Sequence, residues 1–255
     1  MNELTIMLPA YNEEENLEEL VCDWQRYKEQ ISKKYKLHLT IIAVNDGSTD
    51  HTKEIGEELE KKYDNFSLVN HEKNKGLGEA VKTGILYILK NRPDSVFSCL
   101  MDCDNTHSPK YVLDMLEKQK KEDADVVIAS RYQKGAQIKG VSSFRLMTSG
   151  GAKYVYSFLL GVKGVKDYTC GYRLYKNTML RKAYKRFGDK LVEESGFTCM
   201  AELLYKLYAC GAKFAEVPFD LRYDFKKGES KMKVFKTAMD SFKLAFQLKK
   251  IKIIV

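Results

Sequence analysis

Asp102 and Asp104 stand one residue apart at the end of an apolar run, S-V-F-S-C-L-M, and are followed by Asn105, Thr106 and His107. Two carboxylates this close repel each other unless a cation or solvent separates them. Alternate residues of a strand share a face, so the pair can converge on one point beyond the strand's end. Hard oxygen ligands suit Mg2+ or Mn2+, and Mg2+ typically takes one or two carboxylates while substrate phosphates complete its shell. A D-x-D by itself also fits a polar strand end. Both readings stand at this point.

Other candidate residues follow other apolar runs. Pro9, Tyr11 and Glu13 lie in L-P-A-Y-N-E, Asp46 in N-D-G-S-T-D, and Arg131 in A-S-R-Y. Asp46 taken alone reads as a turn carboxylate, since Asn, Asp, Gly and Ser favour turns. Gly76 and Gly78 precede a helical stretch without the third glycine of a dinucleotide fingerprint, so they read as a tight helix entry that also approaches a nucleotide. His107 reads as a turn histidine or a neighbour of the metal.

The elements that must position these residues are legible as a rhythm. Short β-rich runs at 4–8, 37–45, 66–70, 95–101 and 124–130 alternate with amphipathic helical stretches near 13–34, 51–63, 78–91 and 109–121. Such alternation predicts an α/β fold with a mostly parallel sheet covered by helices on both faces. The continuous apolar character of the runs agrees, because strands covered on both sides lose the polar alternation of half-exposed sheets. Ligands of these sheets bind beyond the carboxyl ends of the strands, which is where the polar residues above gather. The second half predicts a helix over 143–160, a strand over 171–176, helices over 177–187 and 196–210, a strand over 213–223, a charged loop over 224–231 and a helix over 232–249. In that last helix Phe235, Met239, Phe242 and Phe246 form an apolar stripe flanked by lysines. The stripe fits either a helix docked on the core or one lying on a membrane surface.

Composition narrows the class. A chain of 255 residues, 44% hydrophobic and 31% charged, suits one globular domain or one domain with an appendage. No apolar stretch approaches the about 20 residues a membrane helix needs, and the first residues lack the basic region and cleavage site of a signal peptide. Six cysteines, none in a C-x-x-C pair, read as reduced core thiols of a cytoplasmic protein. From Arg222 onward ten Lys/Arg face three acidic residues, a net of +7 out of +8 for the whole chain. A tail of that sign fits an anionic partner: nucleic acid, acidic lipid headgroups or a phosphorylated substrate.

Taken in order, L-P-A-Y-N-E, N-D-G-S-T-D, N-K-G-L-G-E-A-V-K-T-G, M-D-C-D-N-T-H-S-P, A-S-R-Y, R-x-x-x-S at 145–149, G-Y-R-L-Y-K, F-T-C-M-A-E-L-L-Y-K, E-V-P and G-E-S-K run through nearly the whole chain. On these motifs it resembles family-2 glycosyltransferases, the inverting enzymes of GT-A fold, and among them the dolichol- or polyprenyl-phosphate hexose synthases. The resemblance implies that Pro9, Tyr11, Glu13, Asp46 and Asp102 line a nucleotide-sugar pocket. It implies that Asp102 and Asp104 hold Mg2+ or Mn2+ against the diphosphate, with Thr106 as a further contact. Arg131, Arg145, Ser149, Arg222, Ser230 and Lys231 would bind the acceptor phosphate, with Asp104, Arg131 and Arg145 carrying the chemistry. Many relatives place an arginine three residues before the glycine of G-E-S-K, where this chain has Phe225.

The expected organisation is a catalytic domain over 1–222 and a basic acceptor loop with an amphipathic helix over 223–255. The expected reaction moves a hexose from a nucleotide-diphospho-sugar, GDP-mannose or a UDP-sugar, to a polyprenyl phosphate. The expected place is the cytoplasmic face of a membrane, with no nucleic acid as partner. A lipid phosphate is already mostly ionised near neutral pH, its second pKa being about 6, so this acceptor needs positive charge rather than a base. Transfer to a saccharide hydroxyl would need a general base, for which Glu193, Glu194 and Glu202 are the nearest candidates. Glu202 also reads as a loop anchor. A non-catalytic lipid- or nucleic-acid-binding module is the alternative of another class.

Overall fold

The computed structural model describes residues 2–140, 154–222 and 234–254. Its centre is a seven-stranded sheet in the order β3-β2-β1-β4-β7-β5-β8. The strands are β1 (Glu3–Ala10), β2 (His38–Asn45), β3 (Phe66–Asn70), β4 (Ser95–Leu100), β5 (Val126–Ser130), β7 (Arg173–Lys176) and β8 (Phe214–Pro218). All neighbours pair parallel except β7, which runs antiparallel between β4 and β5. The two short strands β6 (Ile138–Lys139) and β9 (Leu221–Arg222) form a separate parallel pair. The mostly parallel α/β architecture expected from the rhythm of apolar runs is the one observed.

Burial explains why the runs are continuous. Leu4, Ile6, Met7 and Leu8 of β1 and Leu39, Ile41, Ile42 and Val44 of β2 are all fully buried, because helices cover both faces. The helices are α1 (Leu17–Tyr35), α2 (Thr52–Lys62), α3 (Leu77–Asn91), α4 (Tyr111–Glu122), α5 (residues 154–160), α6 (Asn177–Phe187), α7 (Cys199–Ala209) and α8 (Val234–Leu248). In α1 an apolar stripe (Leu17, Leu20, Val21, Trp24, Ile31) is buried, while Glu18–Glu19 and Lys33–Lys34 complement the dipole at its two ends. Gly84 lets α3 press onto the sheet, since a Cβ there would stand 2.1 Å from the Met7 sulfur. Five of the six cysteines are buried, and all six are free thiols. Burial pushes the Cys170 thiol up to about 12, as expected of inert core thiols.

Three expectations change. The first helix begins at Leu17 rather than near residue 13, because residues 11–15 form a loop bonded to the turn after β2. The strand expected over 213–223 is two strands: Pro218, without an N–H to continue a ladder, ends β8, and Leu221–Arg222 pairs with β6 instead. The stripe on α8 is not the docked face. Met239, Phe242 and Phe246 are 76%, 51% and 58% exposed, whereas Ser241, Leu244, Ala245 and Leu248, at i, i+3, i+4 and i+7, are buried. The helix has two apolar faces, and the one with smaller residues packs against the body. The side chain of Phe235 and the loop over 224–231 lie outside the described residues, as does the start of the helix expected over 143–160. No described helix is long and apolar enough to cross a membrane.

Candidate active site

The parallel register brings the ends of β1, β2 and β4 side by side: Ala10 pairs with Asn45, and Met7 with Leu100. Met101 N–H donates to the Met7 carbonyl (3.1 Å), and Asp46 N–H to the Ala10 carbonyl (2.8 Å). Residues following three strands therefore emerge at one edge of the sheet.

The loops after β1 and β2 are bonded to each other by exchanged donors. Asn12 N–H donates to Ser48 Oγ (2.9 Å), and Thr49 N–H returns a bond to Asn12 Oδ1 (2.9 Å). Glu13 N–H donates to Thr52 Oγ1 (2.8 Å), and His51 N–H to Glu14 Oε2 (2.9 Å). Asn12 adopts φ 54°, a left-handed conformation that Asn tolerates. Pro9, Tyr11 and Glu13 are partly exposed along this rim. Asp46 is buried below it. Its Oδ1 accepts from Lys75 N–H (3.0 Å) and from the His71 ring (2.6 Å), and its Oδ2 accepts from Gly76 N–H (2.8 Å). Gly47 permits this packing, with φ 65° and a would-be Cβ only 2.2 Å from the Lys73 carbonyl carbon. His71 was not a sequence candidate; no spacing marks it.

At the tip of β4 the strand ends with Leu100, earlier than the apolar run implied, yet alternation persists. Met101 and Cys103 are buried, and Asp102 and Asp104 are partly exposed. Asp104 Oδ1 accepts from Thr106 Oγ1 (2.6 Å) and Thr106 N–H (3.2 Å). Thr106 is buried, so its hydroxyl orients Asp104 rather than standing open toward a ligand. Gly171, from G-Y-R-L-Y-K, makes room for the other carboxylate: a Cβ there would lie 2.7 Å from Asp102 Oδ1. Two hard carboxylates on the open side, one oriented by Thr106 and one cradled by a glycine, fit Mg2+ or Mn2+. Among the described residues no three His, Cys, Asp or Glu gather to hold a metal. His107 is buried, boxed between the rings of Tyr172 (5.5 Å) and Phe219 (5.2 Å).

Across the sheet, Arg131 follows β5 and is held by Asp167. Nε and Nη2 form a fork on its two carboxylate oxygens (2.8 and 2.6 Å), and Nη2 also donates to Thr169 Oγ1 (2.6 Å). Burial alone would raise the Asp167 carboxyl, but the Arg131 charge and hydrogen bonds outweigh it and hold the carboxyl below the usual range. Glu216 anchors this corner by accepting from Lys166 N–H (2.7 Å), Asp167 N–H (2.8 Å) and Gln133 Nε2 (2.8 Å). Arg222, in β9, donates its N–H to the Thr106 carbonyl (3.2 Å), which ties the start of the basic tail to the aspartate loop. Arg145, Ser149, Ser230 and Lys231 lie outside the described residues.

Glu202 is a loop anchor in this geometry. It is buried, its Oε2 accepts from the N–H groups of Glu193 (2.9 Å) and Glu194 (2.8 Å), and its Oε1 pairs with Lys206 (2.6 Å). The segment it fixes lies on the G-x-G: Gly78 N–H donates to the Ser195 carbonyl (3.0 Å), and a Cβ at Gly78 would stand 1.8 Å from the Glu194 oxygen. The glycines thus serve a close backbone crossing at the entry to α3.

An α/β sheet of this order with an acidic pair at the tip of β4 is the GT-A architecture. Solved structures agree on the fold: mannosyl-3-phosphoglycerate synthase from Rubrobacter xylanophilus (TM-score 0.62, 14% identity, 96% of this chain and 73% of that one) and S. aureus TarS 1–349 (TM-score 0.59, 14% identity, 95% and 65%). Residues 5–184 match Glycosyl transferase family 2, and the chain belongs to that family. It is 32% identical over 231 residues to a dolichol-phosphate mannosyltransferase of Pyrococcus furiosus, covering 90% of this chain and 59% of that protein. It is 30% identical over 241 residues to a polyprenol monophosphomannose synthase of Mycolicibacterium smegmatis (94% and 84%). It is 29% identical over 251 residues to a dolichyl-phosphate beta-glucosyltransferase of Trichomonas vaginalis (95% and 72%).

Proposed function

We propose that this chain transfers a hexose from a nucleotide-diphospho-sugar to a polyprenyl phosphate, with inversion at the anomeric carbon. An oxygen of the lipid phosphate attacks that carbon, the bond to the donor diphosphate breaks, and the nucleoside diphosphate departs. Pro9, Tyr11, Glu13 and Asp46 form the nucleotide pocket. Asp102 and Asp104 hold Mg2+ or Mn2+, which when bound stabilises the negative charge developing on the departing diphosphate. Arg131, held in place by Asp167, meets the acceptor phosphate, and the family resemblance adds Arg145, Ser149, Arg222, Ser230 and Lys231 as further candidates to bind it. Pre-positioning of this kind lowers the entropic part of the barrier.

The observation that carries the reading is the convergence at one sheet edge: Asp102 and Asp104 face its open side beside the joined loops after β1 and β2. Two further observations favour a lipid phosphate over a saccharide hydroxyl. Both oxygens of Glu202 are engaged by the chain itself, which leaves it no free lone pair aimed at a substrate; Glu193 Oε2 pairs with Lys206 (2.9 Å) and Glu194 Oε2 accepts from Thr198 Oγ1 (2.6 Å). Helices α5 and α8, which meet where Tyr156 faces Ser241, expose Tyr154, Phe158, Met239, Phe242 and Phe246. Exposed apolar residues beside exposed lysines suit an anionic bilayer surface, where such an acceptor resides. The test is transfer of labelled mannose from GDP-mannose, or glucose from UDP-glucose, to a short polyprenyl phosphate with Mn2+. The expected product is a polyprenyl-phosphate hexose of inverted configuration. Labelled saccharide without any labelled lipid would sink the proposal.

A further inference from the structure

His71 holds a position no motif announces. Its side chain is 6% exposed and that of Asp46 3%. A carboxylate that accepts two backbone N–H bonds acts as acceptor only, so His71 Nδ1 carries the proton of their 2.6 Å contact. The other ring nitrogen lies 2.9 Å from Thr83 Oγ1 on α3. The backbone N–H of His71 donates to the Asn45 carbonyl (2.9 Å). One imidazole therefore joins the end of β2, the crossing segment 71–76 and α3, and Asp46 is where all three meet.

We infer that His71 is a positioning residue of the nucleotide pocket, acting through Asp46; the inference rests on the nucleotide-sugar reading above. Loss of the ring's donor leaves a buried carboxylate oxygen short of a partner, a state costly enough to drive rearrangement. Asp46 can then swing toward the rim, and segment 71–76, packed over Gly47, shifts with it. The aspartate pair at the tip of β4 shares none of these bonds. The effect falls on the nucleoside end of the donor and spares the metal end.

Calorimetric titration with GDP and with UDP, alongside Mn2+ binding followed by electron paramagnetic resonance, tests this on the intact chain. His71→Phe is expected to weaken nucleotide binding about tenfold, the scale of one lost charge-assisted hydrogen bond, with Mn2+ affinity held within about twofold. His71→Asn, whose amide nitrogen stands where Nδ1 does and so retains a donor for Asp46, restores most of the affinity. The double variant His71→Phe/Asp46→Asn binds no more weakly than the weaker single, because groups acting in series are not additive. Should His71→Phe not fold, Thr83→Val removes the outer bond alone and is expected to weaken binding about threefold. Wild-type affinity in a folded His71→Phe, or in Thr83→Val where His71→Phe does not fold, overturns the inference. So does additivity in the double variant, or a parallel loss of Mn2+ binding that His71→Asn does not rescue. Failure of the wild-type chain to bind either nucleotide removes the donor reading itself and the inference with it.

Discussion

The two flanks of the site are built on opposite rules. On the donor flank, after β1 and β2, polar groups satisfy one another: Asn12 with Ser48 and Thr49, Asp46 with His71, Lys75 and Gly76. On the other flank, α5 and α8 leave large apolar side chains in solvent, Phe158 at 88% exposure and Met239 at 76%. A pocket for a soluble, charged donor gains from a rigid polar frame that is in place before binding. A surface that meets a lipid gains from apolar groups the fold itself leaves uncovered. Arg131 belongs to neither, a cation fixed by the buried Asp167 carboxylate.

The largest expected effect comes from breaking that ion pair. Asp167→Ala strips the fork from a mostly buried Arg131 and is expected to cost about 3–5 kcal/mol of stability, read by denaturant unfolding. The same pair sets an acid limit. The folded Asp167 carboxyl titrates below its unfolded value, so the unfolded chain binds the extra proton. Its contribution is complete above the ordinary carboxylate range and is lost as pH falls through that range toward the folded value. Unfolding midpoints followed downward from neutral pH are expected to fall more steeply in the wild type than in Asp167→Asn; equal slopes would contradict the assignment.

Next in size is Asp104→Ala. Hexose transfer is expected to drop by about 10²–10³-fold, while wild-type-like unfolding confines the loss to the site. The lipid flank is tested by Phe242→Ser with Phe246→Ser. Partition onto anionic phosphatidylserine vesicles is expected to fall roughly thirtyfold, from about 1 kcal/mol per half-exposed ring, with nucleotide affinity unchanged. Equal partition would show that the apolar face plays no part. The smallest effect sharpens the donor flank. Gly171→Ala pushes on the Asp102 carboxylate, the end of a side chain that can turn aside, so the fold tolerates it. Mn2+ affinity is expected to fall about tenfold, as for a residue that orients a ligand from behind.

Much of this was legible in the residues. Continuous apolar runs separated by amphipathic helices place β1 to β5 in a covered, mostly parallel sheet, and the polar residues after the first, second, fourth and fifth runs mark the edge of the candidate site. The α8 stripe was legible as a period but not as a direction, since the helix carries two apolar faces and periodicity cannot say which one finds a partner. The break at Pro218 was visible as a residue type, yet where Leu221–Arg222 would pair was not. Thr106 was visible beside the aspartates, but its hydroxyl turns to Asp104, a matter of one side-chain rotation.

What the chain's own order of residues determined is the alternation of elements and the chemistry gathered at their ends, because period and residue type act over a few neighbours along the chain. What only the tertiary structure decided is how distant groups meet. Asp46 with His71, Arg131 with Asp167 and Asp102 with Gly171 are separated by 25, 36 and 69 positions. Their contacts depend on packing and on the burial of charge, which no local pattern encodes.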